Sequence, residues 1–298
     1  MKRLTKRLIA WVAAPTMRMI QRYLTRKNPA QVERFGTRFG RLYWRLDRRR
    51  RLTCQNNLRL AFPDMPADEA AVLAKKVFEH FGRAGTDFLM GAKRSRAELE
   101  SSMTVVGIEK LEKALEGGKG VLLITGHFGN FERIPDWLSV HGYKISIVVR
   151  DANEEGVNHI VYGLRQGLGT ELIARGDAAI KIVRRLRDNG IVAITPDQNA
   201  YEAFLPFFGK PAGTTLGPGV ISDRTGAVVI PVFCRYVGPS QYRMEFHDPL
   251  QPYSGYDAKG EGMMRAINDK LESVIRETPD QWLWLHDRWR AARLEGLL

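Results

Sequence analysis

The chain has 298 residues, 44% hydrophobic and 9% aromatic, a balance that suits a packed globular core and argues against a disordered chain. Its two cysteines, Cys54 and Cys234, stand far apart in neither a CxxC nor a Cys/His metal spacing, which argues against a disulfide framework and for a reducing compartment. The net charge of +13 is concentrated at one end: residues 1–60 hold 17 Lys and Arg against Glu33 and Asp47, the rest of the chain nets −2, and such asymmetry calls for a polyanionic partner.

At the N-terminus, Leu4, Leu8, Ile9, Trp11, Val12, Met17, Ile20, Tyr23 and Leu24 recur at roughly helical spacing among Lys and Arg. Trp and aliphatic side chains opposite basic ones describe a helix lying in the headgroup region of an anionic membrane surface. The alternative is a solvated basic helix packed on its own domain. The longest low-charge run, Leu8 to Met17, contains Pro15 and falls well short of the ~20 apolar residues that a spanning helix needs. No small-x-small cleavage pattern follows it, so a signal peptide is not expected either. The block Arg45-Leu46-Asp47-Arg48-Arg49-Arg50-Arg51 also suits a nucleic-acid arm, although no zinc-finger spacing, RNA-binding aromatic signature or basic-region heptad accompanies it. Residues 1–60 are therefore expected to form a basic amphipathic attachment segment and 61–298 an α/β domain.

After Pro63 and Pro66, residues 66–100 carry helical apolar spacing at Val72, Leu73, Val77, Phe78, Phe81, Phe88 and Leu89. From about residue 104 the pattern becomes alternating. Short apolar runs at Val121–Ile124, Ile145–Val149, Leu172–Ala174, Ile191–Ile194 and Val228–Phe233 predict strands, with helices around 131–140, 154–168, 177–188 and 215–225. Tyr242–Phe246 predicts a further strand, 257–277 an amphipathic helix, and the Trp-rich stretch 282–289 a tail that packs back on the domain. The fold class expected is α/β: a largely parallel central sheet flanked by helices, with a basic helical N-terminal segment.

Ligands in such folds collect beyond the C-terminal ends of the strands. His127 lies there, in Gly126-His127-Phe128-Gly129-Asn130-Phe131-Glu132 directly after Val121–Ile124. A histidine can take a proton near neutral pH, and a carboxylate that orients the ring and stabilises its charged form completes a general base. Glu132 is the expected partner, in the first turn of a helix beginning near Asn130. Backbone N–H groups at 129–131 are expected to stabilise a developing oxyanion, and Asn130 is placed with the substrate-binding residues. Arg150, at the end of Ile145–Val149, and Arg165 offer guanidinium forks to a phosphate or sugar carboxylate, with surface ion pairing as the alternative. Asp197 and Gln198 follow Ile191–Ile194, where they would orient His127, bind an acceptor hydroxyl or simply form a turn. Phe204, Phe207 and Phe208 suit an acyl channel or ordinary core packing. His80, His141, His159, His247 and His286 lack the context of His127. A GxSxG elbow, a P-loop, a dinucleotide GxGxxG and an HExxH cluster are all missing, so no nucleotide cofactor or metal is implied.

The segment Gly126–Glu132 resembles the HX4(D/E) motif of glycerolipid-type acyltransferases, and more closely its form in the bacterial lipid A late acyltransferases. Three further segments are similar to that family's signatures: Gln55-Asn56-Asn57-Leu58-Arg59-Leu60-Ala61-Phe62-Pro63; Pro196-Asp197-Gln198 with Pro206–Thr215; and Pro279-Asp280-Gln281-Trp282-Leu283-Trp284-Leu285-His286. Asp151 stands where the family motif follows Arg with Pro. The resemblance implies an O-acyltransferase that moves a fatty acyl chain from acyl carrier protein to the hydroxyl of a 3-hydroxyacyl chain on a Kdo2-lipid A precursor, with no cofactor. His127 would deprotonate that hydroxyl and Glu132 would hold the ring's tautomer, at the cytoplasmic face of the bacterial inner membrane. The same resemblance admits a glycolipid such as a phosphatidylinositol mannoside as acceptor with acyl-CoA as donor. Rivals of other classes are a non-catalytic nucleic-acid-binding protein using the Arg-rich arm, and a thioesterase with water as acceptor.

Overall fold

The alternation of apolar runs and amphipathic stretches builds a seven-stranded sheet in the computed structural model, which describes residues 2–91, 94–149, 155–174, 178–256 and 258–298. The chain opens with α1 (Lys2–Leu24), α2 (Pro29–Leu46), α3 (Arg48–Ala61) and α4 (Ala67–Met90). Then come α5 (Arg96–Ser101), β1 (Met103–Val106), α6 (Ile108–Glu116), β2 (Val121–Ile124), α7 (Arg133–Val140), β3 (Ile145–Val149), α8 (Glu155–Gln166), β4 (Glu171–Ala174), α9 (Ala178–Arg187) and β5 (Ile191–Ile194). The chain continues through β6 (Ala203–Phe207), β7 (Lys210–Thr214), α10 (Gly217–Thr225), β8 (Val228–Gly238), β9 (Gln241–Phe246), α11 (Glu261–Glu277) and α12 (Arg290–Leu294).

The strand order is β1-β9-β8-β2-β5-β3-β4. β8, β2, β5, β3 and β4 are mutually parallel; β9 turns back against β8, and β1 runs parallel to β9. β6 and β7 form a separate antiparallel hairpin. Strand β2 is buried on both faces because helices cover both, which is why Val121–Ile124 reads as an unbroken apolar run. Leu122 and Ile124 face one core with Phe78, Phe128 and Trp282, while Val121 and Leu123 face a second with Leu111, Ile134 and Leu138.

The basic helices are tied to this body. Asn28 and Gln31 form a reciprocal capping box that starts α2, and the Asp47 carboxylate starts α3 by accepting the Arg50 N–H at 2.9 Å. Helix α2 lies close on α4 because Gly36 and Gly40 meet Gly82; a Cβ at Gly40 would overlap the Phe78 carbonyl. Helix α3 is pinned to the C-terminal stretch, where the Asn57 amide donates to the carbonyls of Trp284 and His286. No helix among the described residues is long and apolar enough to cross a membrane.

Candidate active site

The register of the two central strands assembles the site. Ile124 of β2 pairs with Ile194 of β5, and His127 and Asp197 each lie three residues further on, so both emerge at one rim of the sheet. The Asp197 carboxylate accepts from the ring and the backbone of the same histidine: Oδ1 lies 2.8 Å from His127 Nδ1 and Oδ2 lies 2.8 Å from the His127 amide nitrogen. The Trp282 indole N–H donates to Oδ2 at 2.9 Å. Since ionised Asp197 only accepts, Nδ1 carries the proton, and in the neutral ring Nε2 is left as the basic lone pair. The Gln198 amide nitrogen sits 3.4 Å from that Nε2. Asp197 is buried while the His127 side chain retains 21% exposure.

Electrostatics follow from this geometry. Burial alone would lower the His127 pKa; Asp197 first, and Glu132 more weakly, reverse that and hold it above the ordinary histidine value. Burial would likewise raise Asp197, but His127, its backbone N–H and the Trp282 indole bring it down to about 2. The result is an ionised carboxylate behind an imidazole of enhanced basicity.

The turn that carries His127 is fixed by two other parts of the chain. Gly129 N–H donates to the Gln281 carbonyl, Asn130 N–H to the Cys234 carbonyl, and Leu283 N–H to the His127 carbonyl, at 2.8, 2.8 and 3.0 Å. Gly129 has φ +59°, and a Cβ there would overlap the Cys234 oxygen. A Cβ at Gly126 would come within 2.6 Å of Leu271. The His80 ring, buried on α4, reaches the Gly129 carbonyl at 3.0 Å, and burial holds its pKa down at about 4.

Several expectations require correction. Glu132 does not hold the His127 ring; Asp197 does. The Glu132 carboxylate instead accepts two hydrogen bonds from the Arg165 guanidinium, with Nε at 3.0 Å. Helix α7 begins at Arg133, so Glu132 precedes its first turn and reaches across to α8. The amides of Gly129 and Asn130 are already bonded to carbonyls and do not form an oxyanion hole. Asn130 is buried, and its side chain donates to Asp87, so it braces the turn and does not face a substrate. Of the two readings given for Phe207 and Phe208, core packing holds: they sit buried among Trp282, Trp284 and Trp289. Arg150 lies outside the described residues.

Sequence reasoning missed the support beneath the site. Asp87 on α4 binds Arg94, accepts from Arg133 Nε and Nη2 at 2.9 Å each, and receives the Asn130 amide. Arg133 in turn lies with its guanidinium 3.9 Å from the Tyr242 ring centroid and donates to Ser102 at 2.8 Å. The available signal was the position of Asp87 two turns after buried His80, a charge on the packed side of α4. Burial pushes Asp136, one turn after Glu132, up to about 7, with Arg94 opposing. Among the described residues no group of three His, Cys, Asp or Glu is placed to hold a metal ion.

The arrangement of a buried carboxylate, an oriented imidazole and a partly exposed Nε2 can take a proton from a hydroxyl. The family model for bacterial lipid A biosynthesis acyltransferase matches residues 2–291. The chain is 24% identical to a lipid A biosynthesis acyltransferase of Haemophilus influenzae, over 80% of this chain and 75% of that one. It is 25% identical to the lipid A biosynthesis palmitoleoyltransferase of Escherichia coli, over 86% and 83%. A phosphatidylinositol mannoside acyltransferase of Mycolicibacterium smegmatis is 23% identical, over 80% and 79%.

Proposed function

The chain belongs to the bacterial lipid A biosynthesis acyltransferase family and is an O-acyltransferase, and we propose that it moves a fatty acyl chain from an acyl carrier protein thioester to the hydroxyl of a 3-hydroxyacyl chain on a Kdo2-lipid A precursor. His127 Nε2 removes the hydroxyl proton as the oxygen attacks the thioester carbonyl. The new C–O bond forms, the C–S bond breaks, and the proton held on Nε2 passes to the departing thiolate. Asp197 stays ionised and stabilises the imidazolium that forms in between, which is its part in a base worth about 10²–10⁴-fold in rate. Glu132 adds negative potential at His127 and fixes Arg165 at the site. No cofactor enters this chemistry. The reaction runs at the cytoplasmic face of the inner membrane, where the basic helices meet anionic headgroups and the acidic carrier protein alike.

The observation that carries this reading is the Nδ1–Asp197 hydrogen bond, which leaves the partly exposed Nε2 as the proton acceptor. Its test is an assay of the purified protein with carrier-protein thioesters of several lengths and a tetraacylated Kdo2-lipid A acceptor. Transfer to that acceptor is expected; release of free fatty acid at the same rate without acceptor would make the protein a thioesterase. The mannoside acyltransferase relative keeps a second acceptor in view, a phosphatidylinositol mannoside with acyl-CoA as donor. Mass spectrometry of lipid A from a strain lacking the protein separates the two, since our reading requires the loss of one secondary acyl chain.

A further inference from the structure

Helix α2 carries two parallel stripes beside the Gly36–Gly40 face that packs on α4. Phe35, Phe39, Leu42 and Leu46 succeed one another at steps of four, three and four residues, the repeat of one helix face. Arg34, Arg38, Arg41 and Arg45 follow the same steps one position earlier, which places a cationic row alongside the apolar one. Gly36 and Gly40 lie on a separate face, closed against α4, so neither stripe belongs to that contact. Phe39, Leu42 and Leu46 are about half to three-quarters exposed. The apolar row continues onto α1, where exposed Tyr23 meets Phe35 at a tilt with ring centroids 5.9 Å apart and Met19 stands exposed one turn before it.

The acids tell what covers this face. Residues 1–60 contain only Glu33 and Asp47. The Glu33 carboxylate is turned inward onto the Tyr236 hydroxyl and the Ser240 N–H, and the Asp47 carboxylate caps α3. Neither neutralises the arginine row; among the described residues only Arg41 of that row has an ion-pair partner, Glu79 of α4. A contiguous apolar strip bordered by arginines fits an interface whose polar layer is anionic and whose interior is hydrocarbon.

We infer that the outward face of α2 seats the protein on an anionic bilayer, with Phe39, Leu42 and Leu46 in the interfacial layer and Arg34, Arg38 and Arg45 at the level of the lipid phosphates. The inference rests on the proposed lipid-linked acceptor for its purpose and not for the binding itself. Helix α4 lies between this face and the catalytic turn: one side packs on Gly36 and Gly40, and its His80 and Asp87 bond to Gly129, Asn130 and Arg133.

The test is flotation of the full-length protein with phosphatidylcholine vesicles, with and without about one-third phosphatidylglycerol, beside acyl transfer measured in detergent micelles. The parent is expected to partition at least ten-fold more strongly onto the anionic vesicles. The triple variants F39S/L42S/L46S and R34Q/R38Q/R45Q are each expected to lose ten-fold or more of that partition. Both should keep the parent's circular dichroism melt, and F39S/L42S/L46S, which leaves the arginines for the carrier protein intact, should keep micellar transfer within two-fold. Flotation of either triple variant like the parent overturns the inference, as does a parent dimer that F39S/L42S/L46S dissociates without changing flotation. Protein that floats as expected yet transfers nothing to the dispersed acceptor supports this surface and rejects the proposed function.

Discussion

The carboxylate of Asp197 grips His127 twice, through the ring Nδ1 and through the backbone amide, each at 2.8 Å. One side chain thus sets the tautomer of the imidazole and the path of the turn that presents it. Asp197→Asn keeps the size but offers an amide whose N–H facing Nδ1 would favour the tautomer protonated at Nε2, where no base remains. We expect kcat to fall by roughly 10²–10⁴-fold with KM little changed, as for the equivalent change in other His–Asp pairs. Steady-state kinetics on the purified variant check this, and a loss confined to KM would reject the assignment.

The pH profile provides a second check. His127 must be neutral to act as base, and its pKa lies above the ordinary 6.5 because Asp197 outweighs the effect of burial. The acid limb of kcat/KM is therefore expected above 6.5, with activity lost as pH falls through it. In Glu132→Gln the limb should move downward, since Glu132 contributes to that elevation, while the Asp197 contact remains. An unshifted limb would mean that the charge at position 132 is not felt at Nε2.

Glu132 and Arg165 form a largely buried bidentate pair, with side-chain exposures of 14% and 21%. Removing either partner leaves a charge with reduced solvation, so Glu132→Gln and Arg165→Gln should each destabilise, and the double variant should cost less than their sum. A coupling of roughly 0.5–3 kcal/mol from a denaturant double-mutant cycle is the expected result. Simple additivity would show that the pair holds nothing together.

How much of this was legible in the sequence depends on where each signal lay. The parallel strands declared themselves because burial on both faces demands continuous apolar runs, as in Val121–Ile124 and Ile191–Ile194. The β6–β7 hairpin did not. Its two-residue turn has positive φ at both Phe208 and Gly209, the geometry that normally advertises itself as Asn-Gly, and a phenylalanine there hides it. His127 was legible from its position after a strand, but its holder was ambiguous. Glu132 is five residues away in the chain, whereas Asp197 is 70 residues away and is brought near only by the pairing of β2 with β5. Sequence proximity favoured the wrong carboxylate. The straps from Gln281, Trp282 and Leu283 were invisible for the same reason, because two of them use backbone groups that any residue would offer.

Asp87 is the hub beneath the turn. Burial would raise its pKa, but Arg94 and Arg133 bring it below the ordinary 3.8. Its folded pKa is lowered, so the stability it contributes is present above pH 3.8 and is lost as pH falls below that. Asp87→Asn leaves Arg94 and Arg133 without their shared anion and should cost about 3–5 kcal/mol, read as a lower denaturant midpoint. The variant should also lose the parent's acid sensitivity in that window. A midpoint within a few tenths of a molar of the parent would remove Asp87 from its central place.

Gly129 and Gly118 separate strain from site geometry. Both have positive φ, +59° and +69°, but nothing lies within 4 Å of a Cβ built at Gly118, whereas one at Gly129 would overlap the Cys234 carbonyl. Gly118→Ala should therefore cost only the left-handed backbone penalty of about 1–2 kcal/mol and leave acyl transfer near the parent level. Gly129→Ala carries that penalty and must also break the Asn130 N–H bond to Cys234 or displace β8, so it moves the turn that aims His127. Acyl transfer should fall far more than the melting temperature does, because a displacement of about 1 Å at a reacting group can cost ~10²-fold. Equal activities for the two variants, measured at a temperature where both are folded, would mean that the strap at Gly129 does not position the base.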